Sequence, residues 1–369
     1  MRLISILFLA AILPLSLRAQ GSTPTVDKEA TAPAASRHPA DLNGAPVSSA
    51  ISRGAVAFPN ALAQSGSPSQ QKPKPKPKPK PGSDIDRPPI EGSMVGYIDN
   101  AIVGSQIRLR FDAGFDNNRP DRAEFFYAQC GCDGPPARGP QGLVLHLNFQ
   151  QLYMRAEYAP VHRFSLFAEV PVRWVQPQQF VPGTGSFGNQ VGVSDVQAGL
   201  KFALLASHEH YLTFQFLADF PSGDSSKGLG TNHYSVQPSL LFFQRVTDRM
   251  SFEAQLGDWH PLEGASPGFP GDVFTYGLGP SYEVYRGERV RIAPVIELVG
   301  WRVLGGLETN GNLFPNPVVS AEGTNIVNLK AGVRTSIGNH NSFYFGYGQA
   351  LTHELWYKHI VRIEYRYTF

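Results

Sequence analysis

The chain has 369 residues, of which 42% are hydrophobic and 17% are charged, and its formal net charge at pH 7 is +2. Arg2 and Arg18 lie in a stretch that we predict to be cleaved, so the mature chain is nearly neutral, which argues against nucleic acid as a partner. Beyond that stretch, no segment approaches the roughly 18 consecutive apolar residues of a spanning helix, which excludes helical membrane spans.

Residues 1–19 have the features of a secretory signal peptide. Met1 and Arg2 form a basic start, an apolar run follows to Leu17, and the small Ala19 precedes the predicted cleavage point. The alternative, a membrane anchor, needs a longer and less interrupted apolar run. We therefore predict an exported protein.

Residues 20–96 are rich in Ala, Pro, Ser and Gly and lack apolar periodicity. Such a segment cannot bury enough surface to offset the entropy of ordering, so we predict a disordered periplasmic leader. Within it, Lys and Pro alternate over residues 72–81, which favours an extended rod of roughly 30 Å. We weigh an unstructured leader against a spacer that contacts the peptidoglycan.

Two cysteines, Cys130 and Cys132, lie one residue apart in a segment rich in Gly and Pro. A strained local disulfide is feasible in an exported loop, and we predict one with a purely structural role. A metal site would need more ligands than the neighbouring sequence supplies. We predict no metal and no cofactor.

From about residue 104 the sequence alternates with period two, as β-strands do. Ile107, Leu109 and Phe111, for example, alternate with Arg108 and Arg110. We count twelve such segments over residues 97–369. The apolar phase changes at residues 150–151, where we predict a β-bulge.

The predicted connections alternate between long and short. The long ones are 116–142, 177–193, 221–233, 259–272, 305–324 and 351–355, and the short ones centre on 160–163, 207–210, 247–249, 287–288 and 339–341. An even strand number with tight turns on one side predicts an all-β fold, a transmembrane antiparallel β-barrel of about twelve strands, with both termini periplasmic. The alternative is a water-soluble β-sandwich.

The last strand, residues 359–369, has one apolar face that ends in Tyr365, Tyr367 and Phe369. It resembles the terminal strand of Gram-negative outer-membrane barrels. The resemblance implies the cell outer membrane as location, recognition of this strand by the barrel assembly machinery, and contact with membrane lipids and lipopolysaccharide.

The other face of the strands is charged and should line the lumen. The residues that we predict there are Arg108, Arg110, Asp112, Glu169, Arg173, Lys201, Glu297, Arg334, Arg362, Glu364 and Arg366. They can form an ion-pair network that keeps a narrow lumen folded, or a pore lining that selects solutes. The sequence leaves both open.

Residues 194–202, 220–231 and 234–243 carry an S-D-x-x-x-G-x-K strand, then P-S-G-D-x-x-x-G-x-G, then a further strand. They resemble the outer-membrane transporter barrels of the phenol-degradation meta-pathway type. The resemblance covers roughly residues 100–369 and implies a small porin-like barrel that takes up hydrophobic or aromatic compounds.

We therefore predict passive passage of a small solute, collected by a loop mouth that contains Phe180, Phe187, Phe269 and Phe314. One alternative is a closed structural barrel tethered to the cell wall by the leader. Another is a membrane-embedded lipid hydrolase, whose candidate histidines are His146, His233, His260 and His353. No common hydrolase or phosphate-loop motif is present, so we predict no enzymatic activity.

Overall fold

The computed structural model describes residues 92–122, 126–127, 129–131, 139–264 and 269–369. The predicted signal peptide, the Lys-Pro run and Cys132 lie outside these ranges. Within them, no helix is long and apolar enough to cross a membrane.

The described chain is almost entirely β-strand, with two single-turn 3-10 helices at Ser225–Lys227 and Gly311–Leu313. The strands are β1 Gln106–Asn117, β2 Val144–Val161, β3 Phe164–Phe180, β4 Gln190–Val193, β5 Val196–Ala206, β6 His210–Phe220, β7 His233–Arg245, β8 Met250–Gly264, β9 Val273–Tyr282, β10 Tyr285–Arg286, β11 Val290–Val303, β12 Leu307–Thr309, β13 Val318–Ser320, β14 Asn325–Ile337, β15 Asn341–Ala350 and β16 His359–Thr368.

These strands form one closed antiparallel barrel with twelve strand positions in its wall. β4 and β5 together fill one position, β9 and β10 fill another, and β12 and β13 form a separate hairpin outside the barrel sheet. Pairing of β1 with β16, from Gln106 opposite Thr368 to Phe115 opposite His359, closes the ring. The predicted twelve-stranded barrel is confirmed.

The barrel is apolar outside and charged inside. Ile107, Leu109, Leu166, Phe345 and Ile363 are each more than 40% exposed on the outer surface, whereas the residues between them along each strand are mostly buried and polar. A water-soluble barrel would place these two sets the other way round. The arrangement is the one that a barrel surrounded by lipid requires.

The connections separate into a loop end and a turn end. The connections that follow β1, β3, β6, β8, β11 and β15 leave the barrel at the loop end, and residues 162–163, 207–209, 246–249, 287–289 and 338–340 lie at the turn end. Because Gln106 pairs with Thr368, β1 begins and β16 ends at the turn end. Long and short connections thus alternate as predicted.

Four strand prolines, Pro171, Pro238, Pro280 and Pro294, each lie at an interruption of one of their two ladders. At Pro238, for example, the β7–β8 pairing passes from Val236 directly to Ser239, and at Pro280 the β9–β11 pairing passes from Ser281 to Leu278. Pro171 lies between the part of β3 that pairs with β5 and the part that pairs with β4, and Pro294 precedes the first β9–β11 pair. Since proline has no N–H to donate, these gaps let the barrel close without a lost hydrogen bond.

The predicted bulge at residues 150–151 is wrong. Gln150 and Gln151 pair regularly with β1 and with β3. Register shifts lie instead in β1, between Gly114 and Asn117, where Asp116 has a left-handed φ of 62°. The β2–β3 ladder shifts near both ends of β2, within residues 144–147 and 158–161. The apolar phase changes because Leu147 and Phe149 face the interior of the barrel, where they pack with residues of the first long loop.

A charge on the outer face should destabilise the barrel strongly. Ile296 lies in the middle of β11 and is 55% exposed. We expect Ile296→Arg to lower the free energy of unfolding in lipid vesicles by about 2–4 kcal/mol. Urea titration followed by tryptophan fluorescence measures this change. Leu313→Arg, in an exposed loop, is the control, and an equally large loss there would contradict a lipid-facing outer surface.

Candidate functional site

Residues 92–105 enter the barrel and occupy the turn-side half of its lumen; we call them the plug segment. Met94, Val95, Ile98, Ala101 and Ile102 are at most 5% exposed there. Residues 92–96 belong to the predicted leader, but they lie inside the barrel, so the leader boundary predicted at residue 96 is wrong. The segment has no regular secondary structure, so its buried backbone groups need partners from the barrel wall.

Glu297 on β11 supplies the most concentrated set of these partners. Its two carboxylate oxygens accept hydrogen bonds from the backbone N–H groups of Gly96, Tyr97 and Ile98 at 3.1, 2.9 and 2.9 Å. Tyr344 also donates its hydroxyl to this carboxylate at 3.3 Å. Hydrogen bonds to an ionised acceptor are roughly twice as strong as neutral ones, so Glu297 fixes the middle of the plug segment.

Two arginines hold the carbonyl groups of the same stretch. Arg334 donates from Nε to the Met94 oxygen at 3.0 Å and from Nη2 to the Val95 oxygen at 2.6 Å. Arg362 donates to the Gly96 oxygen at 2.6 Å. Glu297 therefore binds the N–H groups of this short backbone segment, and the two arginines bind its carbonyl groups.

The rest of the segment is held by polar side chains of β5, β6 and β8. Lys201 donates to the Asn100 oxygen at 3.0 Å, and Thr213 donates to the Ala101 oxygen at 2.6 Å. Glu253 accepts from the Ser93 hydroxyl and the Met94 N–H at 2.9 and 3.1 Å. These contacts anchor the segment to opposite sides of the wall.

Inward-facing glycines make room for the plug segment. A Cβ added at Gly277 would lie 2.4 Å from Ile98 Cγ2, and one added at Gly279 would lie 3.1 Å from Val95 Cγ1. The wall is therefore shaped for the apolar side chains of the segment as well as for its backbone.

All eleven side chains that the sequence predicted in the lumen lie on the inner face of the wall, ten of them buried and Arg110 nearly so. Several form ion-pair groups near the β1–β16 junction. Asp112 binds Arg362 through two contacts of 2.7 Å. Glu364 lies 2.9 Å from Arg334 and 3.0 Å from Arg366.

Glu169 on β3 is the centre of a further group, with Arg108 at 2.8 Å and Arg110 at 3.5 Å. Lys201 lies 3.3 Å from Glu157. Arg173 has no carboxylate within 4.0 Å among the described residues. Residues 97–105 belong to the predicted barrel region, but Tyr97 and Asp99 were not predicted in the lumen, because the plug segment shows no strand periodicity.

Above the plug segment, the loop-side half of the lumen contains a chamber with two adjoining lobes. The larger lobe has a volume of about 260 Å³ and the smaller one about 150 Å³. Tyr97 of the plug segment contributes to the floor of both. The residues that line both lobes are Tyr97, Gln151, Tyr153, Arg173, Val299, Trp301 and Trp356.

The chamber is rich in aromatic side chains. The Trp301 and Trp356 rings lie 4.9 Å apart, and the Trp259 and Trp356 rings lie 6.1 Å apart. Trp259 and Trp301 continue the inward-facing phase of β8 and β11 toward the loop end. Extending that alternation along the sequence would have predicted that both tryptophans face the lumen.

The first long loop folds into the loop end of the barrel. Phe126 and Tyr127 are buried beside Leu147, Phe149 and Tyr357. These two rings close part of the mouth from within the barrel rather than above it.

An ion-pair group joins this loop to its neighbours across the mouth. Arg119 lies 3.2 Å from Glu308 and 2.9 Å from Glu354. Burial raises the pKa of the Glu308 carboxyl, and the adjacent Arg119 guanidinium only partly offsets that rise. The loops of the mouth are thus bound to one another.

Of the four predicted mouth aromatics, Phe180 and Phe187 pack together with ring centres 5.5 Å apart, and Phe269 is 4% exposed. Only Phe314 is largely exposed, at 51%. Most of this set therefore packs the loops rather than facing solvent.

Cys130 is buried beside Leu143 and Val181. Cys132 lies outside the described residues, so the predicted disulfide stays a prediction. Within the described ranges, no three residues of the His, Cys, Asp and Glu types are placed to hold a metal ion.

The histidines considered for a hydrolase are dispersed. His146 contacts Asp116 at 2.5 Å and His260 contacts Asp272 at 2.6 Å, both on the exposed surface. The His233 ring contacts the Thr231 oxygen, and His353 contributes its backbone oxygen to Asn118. In the described part of the chain, none of these four rings has a serine hydroxyl within hydrogen-bond distance, so the geometry offers no nucleophile–base pair here.

No family model and no curated protein sequence matches the chain, so the phenol-degradation resemblance is not confirmed. The solved structures to which the chain is similar include the following three, and each similarity covers 72% of this chain. They are an outer membrane channel from Pseudomonas putida F1 (14% identity, 96% of that chain, TM-score 0.45), the β domain of the Bordetella autotransporter BrkA (13%, 100%, 0.43) and LpxR from Salmonella typhimurium (8%, 100%, 0.40).

Loss of the Glu297 carboxylate should loosen the plug segment selectively. Glu297→Ala leaves three buried N–H groups without an acceptor, and we expect the opening free energy of residues 92–105 to fall by about 3 kcal/mol. Hydrogen–deuterium exchange of peptides from this segment measures the change. Glu283→Gln, at the turn end, is the matched control and should leave the exchange of these peptides unchanged. Equal exchange in wild type and Glu297→Ala would contradict the role of Glu297.

Proposed function

We propose that this protein is an outer-membrane channel for small solutes, whose lumen is narrowed at the turn end by its own plug segment. The observation that carries the proposal is the chamber, about 260 Å³ with a further lobe of about 150 Å³, inside a barrel that is apolar outside and charged inside. Paired charges are enough to keep a barrel lumen folded. A chamber lined by aromatic and charged side chains is not required for folding, so it supports a role in holding a solute.

The location follows from the same architecture. Barrels of this kind have short periplasmic turns and long external loops, so in our proposal the turn end, with the start of β1 and the end of β16, faces the periplasm. The outer face would then contact membrane lipids and lipopolysaccharide. β16, with the following Phe369, would be the segment that the barrel assembly machinery recognises.

The solute class that we propose is small, with an apolar or aromatic part. The chamber presents Tyr97, Tyr153, Trp259, Trp301 and Trp356 toward its interior. Aromatic rings offer a large apolar surface of fixed geometry to a ring-containing solute. No enzymatic step is part of this proposal.

A second candidate is a closed structural barrel, tethered to the peptidoglycan by the Lys-Pro leader. The contacts of the plug segment favour it, since Glu297, Arg334, Arg362 and Lys201 all bind backbone groups across the lumen. If these contacts never open, no solute passes. The two candidates therefore differ in whether the plug segment can be displaced.

Planar-bilayer recordings of the refolded full chain distinguish them. We compare wild type with Glu297→Ala, which removes the carboxylate cradle, and with Gly277→Leu, whose side chain would occupy the space of Ile98. For a channel we expect discrete current steps that are larger or more frequent in both variants. Glu283→Gln is the control. Gly338→Leu would not serve as one, because Gly338 has a φ of 63° and a side chain there would strain the backbone although the surrounding space is open.

Silence from all these proteins, when each is folded and heat-modifiable on a gel, would contradict the channel and favour the structural barrel. Removal of residues 72–81 should then produce cell-envelope defects in growing cells. A channel predicts intact envelopes and altered solute uptake.

A further inference from the structure

Lys330 on β14 is a buried cation whose contacts are aromatic rings. It is 3% exposed, and its Nζ atom lies 4.0 Å from the centre of the Tyr97 ring and 5.4 Å from the centres of the Trp301 and Tyr357 rings. Among the described residues, no oxygen accepts a hydrogen bond from Nζ and no carboxylate lies within 4.0 Å of it. Lys330 also lines the smaller lobe of the chamber.

The carboxylates nearest to Lys330 already have other partners. Glu297, its cross-strand neighbour on β11, accepts three backbone N–H groups of the plug segment. Asp112 binds Arg362 with both oxygens at 2.7 Å. Neither of them is available as a counter-ion that lies within ion-pair distance of Lys330.

Arg173 is a second cation of the smaller lobe in the same situation. Its guanidinium lies 4.3 Å from the centre of the Phe126 ring, and it donates to the Gln151 side chain and to the Phe126 carbonyl. Within the described ranges it has no carboxylate inside 4.0 Å. Its hydrogen bonds are all to neutral acceptors.

The formal charge of the smaller lobe is therefore positive. Its lining contains one carboxylate, Asp112, and three cations, Arg173, Lys330 and Arg362, which gives +2. The acids of the larger lobe are Asp99, Asp195 and Asp219. Asp99 lies 3.8 Å from Arg108 and accepts a hydrogen bond from Gln215. Asp195 and Asp219 accept hydrogen bonds from neutral donors, among them Thr231, Ser235 and Gln237. They line only the larger lobe.

We propose that the smaller lobe binds a small aromatic carboxylate, with the anion near Lys330 and Arg173 and the ring against Phe126, Phe149 and Tyr357. Burial without a counter-ion disfavours the charged form of a side chain, and an entering anion stabilises that charged form. A cavity of roughly 150 Å³ accepts a single benzene ring, which matches the volume of this lobe. The inference rests on the proposed channel function and names the solute class that the channel would select.

Binding is measured on the refolded full chain in detergent micelles, by calorimetry and by tryptophan fluorescence, because Trp301 and Trp356 line the lobe. The probes are sodium benzoate, benzyl alcohol, sodium acetate and sodium chloride. We expect saturable binding of benzoate. Benzyl alcohol lacks the charge and acetate lacks the ring, so each should bind at least about tenfold more weakly.

Substitutions test which cations hold the anion. Lys330→Met and Arg173→Gln should each weaken benzoate binding by about tenfold or more, and Lys330→Arg should restore most of it. Lys358→Met removes an exposed lysine at the loop end and is the matched control, with unchanged binding. If Lys330→Met does not refold, the comparison of benzoate with benzyl alcohol on wild type still decides whether charge is recognised.

Absence of saturable benzoate binding to the folded wild type would overturn the inference, as would equal binding by Lys330→Met. Equal competition by chloride or acetate would also overturn it, because it would show a site for any anion. Binding in micelles does not require conduction. A protein that conducts without binding benzoate fails this inference alone, and one that binds without conducting fails the channel proposal alone.

Discussion

The match between the backbone of the plug segment and the charges of the barrel wall is the constraint on which the rest of the lumen depends. A segment without regular structure carries unsatisfied N–H and C=O groups into a space largely removed from water. Glu297 accepts from three of those N–H groups, while Arg334 and Arg362 donate to the carbonyl groups of Met94, Val95 and Gly96. Each of these wall residues would be costly if buried alone, so the segment and the wall stabilise each other.

The same constraint explains why the charges concentrate near the junction of the first and last strands. Arg108, Asp112, Arg362 and Glu364 face one another across the β1–β16 ladder or close to it. Arg362 shows the connection most directly, since it binds Asp112 with two nitrogens and the plug segment with a third contact. Closure of the barrel and placement of the segment therefore share a residue, and neither is independent of the other.

The fold was legible in the sequence because period-two alternation and alternating loop length are properties of each strand and its ends. Those signals gave the twelve strands, the two ends and the inner face on which all eleven candidate residues lie. The period-two signal failed where an apolar residue faces the interior because a loop packs on it. Leu147 and Phe149 are apolar yet point inward, because the first loop packs on them. The plug segment was missed because backbone hydrogen bonds to Glu297 leave no periodic trace in residues 92–105.

The lumen thus divides into two halves with different chemistry. On the turn side, acids and bases meet each other or the plug backbone, and the inward-facing Gly277 and Gly279 leave room for apolar plug side chains. On the loop side, Lys330 and Arg173 meet aromatic rings and neutral acceptors. If the only role of these cations were to stabilise the fold, each would be expected beside a carboxylate, as Arg334 is beside Glu364 at 2.9 Å. This difference supports the proposal that a solute occupies the loop side, while the charges of the turn side hold the plug segment in place.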